Sequence, residues 1–313
     1  MSEENPIEIV SLRKEYKSFV AVDGLDLAIK RNSFTGLLGP NGAGKSTTLK
    51  ILTHLINPTS GSAYLNGIDV TKDPKGALTG VGTVIETPEF YGYLTPRETF
   101  QYIGGIIGMN RETLKSETDR ILALVKMTDW ADKKLGTFSK GMRQRIALGQ
   151  ALLDDPRIII LDEPTSGLDP RGMAEMREIL KNLRNETSDL TIVMSSHILH
   201  EVEDLCDRVA MVNHGKLLIH DDIQVVSSIS GVEAMVLRTE GVPTEEMIAK
   251  VLEVPSVVEA ERSGNEILLK YDAKARRRSE LFDDISRLGI GAYSLAEGDS
   301  LEARYLDLIK ETR

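Results

Sequence analysis

The 313-residue chain has a single cysteine, Cys206, so no intramolecular disulfide can form, and a reducing cytosol is its natural compartment. Cys206 itself reads as a small core residue. No segment approaches the roughly 20 apolar residues of a membrane span, so any membrane association requires a partner. Basic residues are in deficit, 38 against 48 acidic, giving a net charge of −10. That balance argues against a general electrostatic grip on nucleic acid, which needs a basic face. The opening Met1-Ser-Glu-Glu-Asn-Pro6 is acidic and lacks an apolar stretch, so no secretory signal is expected.

What is present is enough chain for about two domains. Residues 7 to about 38 alternate like strands, with Gly24-Leu-Asp26 and Lys30-Arg31-Asn32 as turn punctuation. A second strand-rich stretch covers Gly61 to Val70. From about Pro88 to Asp155 the pattern turns helical, with Ile103, Ile106, Ile107, Ile121, Leu124 and Val125 at helical spacing, and predicts an inserted helical subdomain. Beyond it, Arg157-Ile-Ile-Ile-Leu161 and Leu190 to Met194 are continuous apolar runs on either side of a helix around Met173 to Arg184. Such runs suit parallel strands covered on both faces, so residues 1–223 are predicted to form an α/β core. The pattern resets after Gln224. Residues 224–313 read as βαββαβ followed by a helix over Leu301 to Glu311, a small C-terminal α+β domain of ferredoxin-like type.

The densest chemistry lies in Gly39-Pro-Asn-Gly-Ala-Gly-Lys-Ser46, which meets the spacing G-x-x-x-x-G-K-[ST] between a predicted strand, Ser33 to Leu38, and a helix, Thr47 to Leu55. Its glycines let successive backbone N–H groups face phosphate oxygens, where a helix N-terminus adds partial positive charge. Lys45 would reach the β- and γ-phosphates, and the Ser46 hydroxyl would ligate Mg²⁺. Downstream, the run ending at Leu161 delivers the acidic pair Asp162 and Glu163. Beside such a loop Asp162 suits the metal and Glu163 the attacking water. Between them, Phe138-Ser-Lys-Gly-Met142 opens a helix, Lys140 to Leu153, with Ser139 placed as its N-cap. Ser139 and the flexible Gly141 make a second anion site there. Ser166-Gly-Leu-Asp169 and Ser195-Ser-His197 complete the set. His197 and His200 suggest no metal pair, since a third ligand is missing.

In joint occurrence and order these motifs resemble the ATP-binding cassette (ABC) ATPases over about residues 7 to 222. The resemblance implies a P-loop NTPase core with a helical subdomain at about 88–155, binding ATP and Mg²⁺. It implies that subunits pair head to tail, with ATP held between the P-loop of one and the signature loop of the other. By position, Tyr16 matches the residue that stacks on adenine, and Gly39, Pro40, Asn41, Gly42, Ala43, Gly44, Lys45, Ser46 and Thr47 the phosphate loop. Phe138 to Met142, with Ser139 and Gly141, match the signature, and Asp162 the metal-site carboxylate. Glu163 matches the catalytic base, Asp169 the residue linking the two sites, and His197 the switch histidine at the γ-phosphate.

Two departures stand out. Lys140 and Met142 replace a glycine and the glutamine of the usual signature, and Glu86 stands where the family places a glutamine that senses Mg²⁺. As a carboxylate, Glu86 remains a candidate metal ligand with altered affinity. Similar substitutions occur in ATPase subunits of drug, bacteriocin and peptide-antibiotic exporters. The resemblance therefore implies the cytoplasmic ATPase subunit of an export-type transporter, peripheral on the inner face of the membrane. Its partners would be an integral membrane permease, received near Glu86 to Leu94, and an identical or paralogous ATPase subunit, with no nucleic acid. The alternative is a soluble ABC ATPase acting on ribosomes or DNA, but neither a second cassette nor a long coiled coil is present. A GTPase or small-molecule kinase is disfavoured, because Asn-Lys-x-Asp is missing and the signature would go unexplained. Lys274 to Arg278, the notable basic cluster, reads as the solvated start of a helix.

Overall fold

Alternating burial along the first residues produces a long antiparallel hairpin of β1 (Ile7–Tyr16) and β2 (Phe19–Ile29). Gly24, expected in a turn, instead lies within β2 at φ +70°, where the register slips, so the glycine accommodates a bulge. In this computed structural model residues 5–17, 19–187, 189–228, 232–273 and 275–297 are described. They fall into two compact units, Met1–Asp221 and Asp222–Arg313.

After β3 (Phe34–Leu38) the phosphate loop leads into α1 (Lys45–Leu52), which starts two residues earlier than its sequence pattern indicates. Next come β4 (Ser60–Leu65), β5 (Ile68–Asp69), α2 (Pro74–Ala77) and β6 (Val81–Val84). The helical insertion consists of α3 (Pro96–Ile107), closed at its start by a Thr95/Glu98 capping box, α4 (Arg111–Leu124) and α5 (Lys140–Ala151). Ile106 and Ile107, although at helical spacing, are exposed at the end of α3. The chain then alternates β7 (Ile158–Asp162), α6 (Pro170–Glu186), β8 (Thr191–Ser196), α7 (Leu199–Leu205), β9 (Arg208–Asn213) and β10 (Lys216–Asp222).

Two sheets result, one ordered β2-β1-β4-β5 and one β10-β9-β3-β8-β7-β6. In the second, β9, β3, β8, β7 and β6 run parallel, and β3, β7, β8 and β9 are buried along their whole length, as continuous apolar runs require. The core joins Ile9, Leu25 and Leu65 of the first sheet, Leu49 and Ile51 of α1, and Ile158, Ile160 and Val193 of the second. Because strands in such a sheet point the same way, the loops after β3, β6, β7 and β8 emerge at one edge. Packing behind them is close. A Cβ on Gly82 would meet Ala151 O at 1.8 Å, and one on Gly36 would meet Val202 Cγ1 at 2.5 Å.

The second unit begins with α8 (Ile223–Ser228), followed by β11 (Val232–Thr239), α9 (Glu245–Leu252), β12 (Val257–Ser263), β13 (Glu266–Asp272), α10 (Arg278–Ser286) and β14 (Ala292–Glu297). Its antiparallel sheet has the order β12-β13-β11-β14. One face packs Met235, Leu237, Ile267, Leu269 and Tyr271 against Val251, Leu281 and Ile285 of the helices. The helix predicted over Leu301 to Glu311 lies outside the described residues.

Candidate functional site

The loop after β3 owes its shape to two glycines. Gly44 adopts φ +102°, and a Cβ there would stand 2.4 Å from Ala21 O; one on Gly39 would stand 2.3 Å from Val212 O. The loop is pinned by Gly215 N–H donating to Ala43 O (3.0 Å) and Gly39 N–H to Ser196 O (3.4 Å). Lys45 is 5% exposed, and its Nζ donates to Gly39 O (2.7 Å) and Pro40 O (3.2 Å), 3.8 Å from Glu163 Oε1. Burial lowers the Lys45 pKa, and the nearby Glu163 and Asp162 carboxylates oppose that fall.

Asp162, the last residue of β7, is the hub. Its Oδ1 accepts from Ser46 Oγ (2.9 Å) on α1 and from Ser195 Oγ (2.6 Å) on β8. The Ser195 hydroxyl in turn accepts the Glu163 N–H (2.9 Å). Glu163 takes a left-handed backbone, φ +45°, turning the chain off the sheet and bringing its Oε1 within 3.1 Å of His197 Nδ1. Strand register explains the convergence, since Asp162 pairs with Ser195 and Leu38 with Ser196. Ser46, Asp162 and Glu163 line one cleft with Glu86, Thr87, Lys140, Gln144 and Ser166. Glu86 also has a left-handed backbone, φ +66°, and its carboxylate pairs with Lys50 of α1. That hydrogen bond raises the Lys50 pKa.

Ser46 Oγ and Asp162 Oδ1 are hard oxygen donors that fit Mg²⁺. Among the described residues no group of three or more His, Cys, Asp or Glu side chains could hold a metal alone. An ion here would complete its shell with phosphate oxygens and water, the habit of Mg²⁺.

The other expected residues lie elsewhere. Ser139 caps α5, accepting the Met142 N–H at 3.3 Å, and Asp169 caps α6, accepting the Gly172 N–H at 2.9 Å. With Gly141, Trp130 and Arg145 they line a second cleft. Tyr16 stands at the β1–β2 hairpin, half-exposed, with Lys14 Nζ 5.0 Å from its ring centre. The sequence assigns no role to Ser195, named only within Ser195-Ser-His197, and gives no sign of Lys50 or of the Lys140 Nζ bond to Ser166 O (2.8 Å). For Ser195 a signal existed, namely two hydroxyls closing an apolar strand just before His197.

Residues 22–166 match the family described as ABC transporter. The bacitracin transport ATP-binding protein of Bacillus licheniformis is 42% identical over 212 residues, covering 68% of this chain and 68% of that protein. The lantibiotic transport ATP-binding protein of Streptococcus pyogenes is 34% identical over 216 residues, 69% of this chain and 90% of that protein. Among solved structures, a dimeric ATP-binding cassette in a post-hydrolysis state with ADP and Pi superposes with a TM-score of 0.61. It is 26% identical and covers 69% of this chain and 98% of its own.

Proposed function

Since the chain belongs to the ABC transporter family of ATP-binding subunits, we propose that it hydrolyses ATP between two head-to-tail cassettes to drive a separate permease that exports a peptide-type antibiotic. The observation that carries this reading is the convergence of Lys45, Ser46, Asp162, Glu163 and His197 at one edge of the parallel sheet. Backbone N–H groups between Asn41 and Thr47 cradle the phosphates, and Lys45 neutralises the β- and γ-oxygens. Ser46 and Asp162 would hold Mg²⁺, with Glu86 lining the same cleft. Bound there, Mg²⁺ would supply charge neutralisation for the departing phosphate. Glu163 Oε1 takes the proton of the attacking water, and His197, held against the same oxygen, faces the γ-phosphate.

Tyr16 supports the adenine. The second cleft, with Ser139, Gly141 and Asp169, completes the site of the opposite cassette, whether an identical chain or a paralogue. That Ser139, Gly141 and Asp169 line a different cleft from Ser46, Asp162 and Glu163 supports the head-to-tail arrangement. The exported class follows the relatives named for bacitracin and lantibiotic transport. No helix among the described residues is long and apolar enough to cross a membrane, so the permease would hold the chain at the cytoplasmic face.

The test is affinity purification of tagged Glu163→Gln chain from gently solubilised native membranes with ATP and Mg²⁺. A dimer with a stoichiometric integral membrane protein is expected. Ribosomal or DNA-associated partners without a permease would overturn the transporter reading.

A further inference from the structure

Helix α7 begins two residues after His197, and its inward face carries one charged residue among apolar ones. Glu201 is 2% exposed beside the buried Val202 and Leu205. Its Oε2 accepts from Thr165 Oγ1 at 2.8 Å and from Ser196 Oγ at 3.1 Å, and both partners are themselves buried. Its Oε1 is buried and finds no hydrogen-bond partner among the described residues. A half-satisfied carboxyl group in a core opposes folding, so its presence calls for a reason other than stability.

The reason lies in what the two hydroxyls belong to. Thr165 sits two residues beyond Glu163, in the turn where Ser166 N–H donates back to Glu163 O at 3.0 Å. Ser196 immediately precedes His197, and its Oγ also accepts the Ile198 N–H at 2.9 Å. One carboxylate oxygen thus joins the turn after β7 to the turn after β8. Those two turns present the Glu163 Oε1 and His197 Nδ1 atoms that meet at 3.1 Å. No described hydrogen bond links Glu201 itself to Lys45, Ser46 or Asp162, so its influence falls on the pair facing the water rather than on the phosphate cradle.

On the reading of Glu163 and His197 as the hydrolytic pair, we propose that Glu201 is a positioning residue, a buried clasp that fixes the separation of the two turns. It touches no reacting atom. Its removal leaves the cradle intact and lets Glu163 and His197 drift apart, so turnover falls while nucleotide affinity stays.

The experiment measures kcat and KM for ATP hydrolysis, and affinity for a fluorescent ATP analogue, in full-length Glu201→Ala, Glu201→Gln, Thr165→Val and Ser196→Ala. Glu201→Ala is expected to lower kcat about tenfold or more, with KM and analogue affinity within about twofold. Glu201→Gln keeps one oxygen that can accept both hydroxyls, and should retain kcat within about threefold. Thr165→Val and Ser196→Ala each remove one arm and should fall between. Wild-type kcat in Glu201→Ala, or parallel loss of turnover and affinity, overturns the clasp, as does a Glu201→Gln chain no more active than Glu201→Ala. Should Glu201→Ala not fold, wild-type rates in both single-arm variants overturn it. His197→Ala serves as the separate control. If it hydrolyses ATP normally the hydrolytic pair is refuted, whereas an inactive His197→Ala beside a fully active Glu201→Ala refutes the clasp alone.

Discussion

Replacing Ser195 by alanine removes one oxygen that serves two residues of the site at once. Its hydroxyl is wholly buried, donates to Asp162 Oδ1 at 2.6 Å and accepts the Glu163 N–H at 2.9 Å. A hydrogen bond to an ionised carboxylate contributes roughly 1.5–3 kcal/mol, and a backbone N–H left without its partner costs about 1–3 kcal/mol. The two share one hydroxyl and are coupled, so a joint loss of about 3 kcal/mol is expected rather than their sum. The same bond holds Glu163 in a left-handed backbone that costs about 1 kcal/mol for a residue with a Cβ. Released, Glu163 relaxes away from His197, and a displacement approaching 1 Å lowers turnover by up to about a hundredfold.

The only tryptophan, Trp130, lies in the first unit, so its fluorescence in a urea titration reports unfolding of the unit that holds the site. The expected result is a lower midpoint with an unchanged slope, equivalent to about 3 kcal/mol, and a kcat reduced at least tenfold. A stability change below about 0.5 kcal/mol together with kcat within about twofold would refute the bridging role.

Gly44→Ala places a Cβ 2.4 Å from Ala21 O at φ +102°, and should cost at least about 2 kcal/mol and abolish binding of a fluorescent ATP analogue. Burial would raise the Asp69 pKa, but hydrogen bonds from Thr71 and Lys72 outweigh it and hold it at about 2. Because the folded value lies below the unfolded one, the stabilisation is present above about pH 4 and vanishes as pH falls towards 2. Discounting for the exposed Lys72, Asp69→Asn should cost about 1–2 kcal/mol at pH 7 and almost nothing near pH 2, measured by urea unfolding at both. Burial pushes the Cys206 thiol pKa well up, so a thiol reagent at pH 8 should label native chain far more slowly than urea-unfolded chain; equal rates would contradict its placement behind β3.

The parallel strands were legible because burial on both faces imposes an unbroken apolar run, and the phosphate loop because its glycines and Lys45 admit few substitutes. The partners of these residues were less legible. Lys50, read only as a helix position, meets Glu86 because α1 packs against β7 and β6 pairs beside β7, a placement that local periodicity does not encode. Gly24 was misread because a glycine in a bulge and one in a turn show the same letter, and only cross-strand register separates them. Ile106 and Ile107 obey the helical period yet face outward, since periodicity marks a stripe without revealing what covers it. Glu201 lies in an ordinary acidic helix sequence, and its burial appears only once α7 is packed.

The order of strands in the larger sheet also has a temporal side. β3, which carries the phosphate loop, is flanked by β8 and β9, with Phe34 opposite Ile192 and Thr35 opposite Arg208. During synthesis the loop leaves the ribosome early, whereas both of its walls are among the last strands of the first unit to emerge. A nascent chain ending before β8 therefore carries the phosphate-binding sequence with neither side of β3 occupied, and its apolar edges wait for a partner. Nucleotide can rescue the fold only after translation has passed β9, so the period of greatest vulnerability to aggregation is set by the distance in sequence between a loop and the strands that brace it.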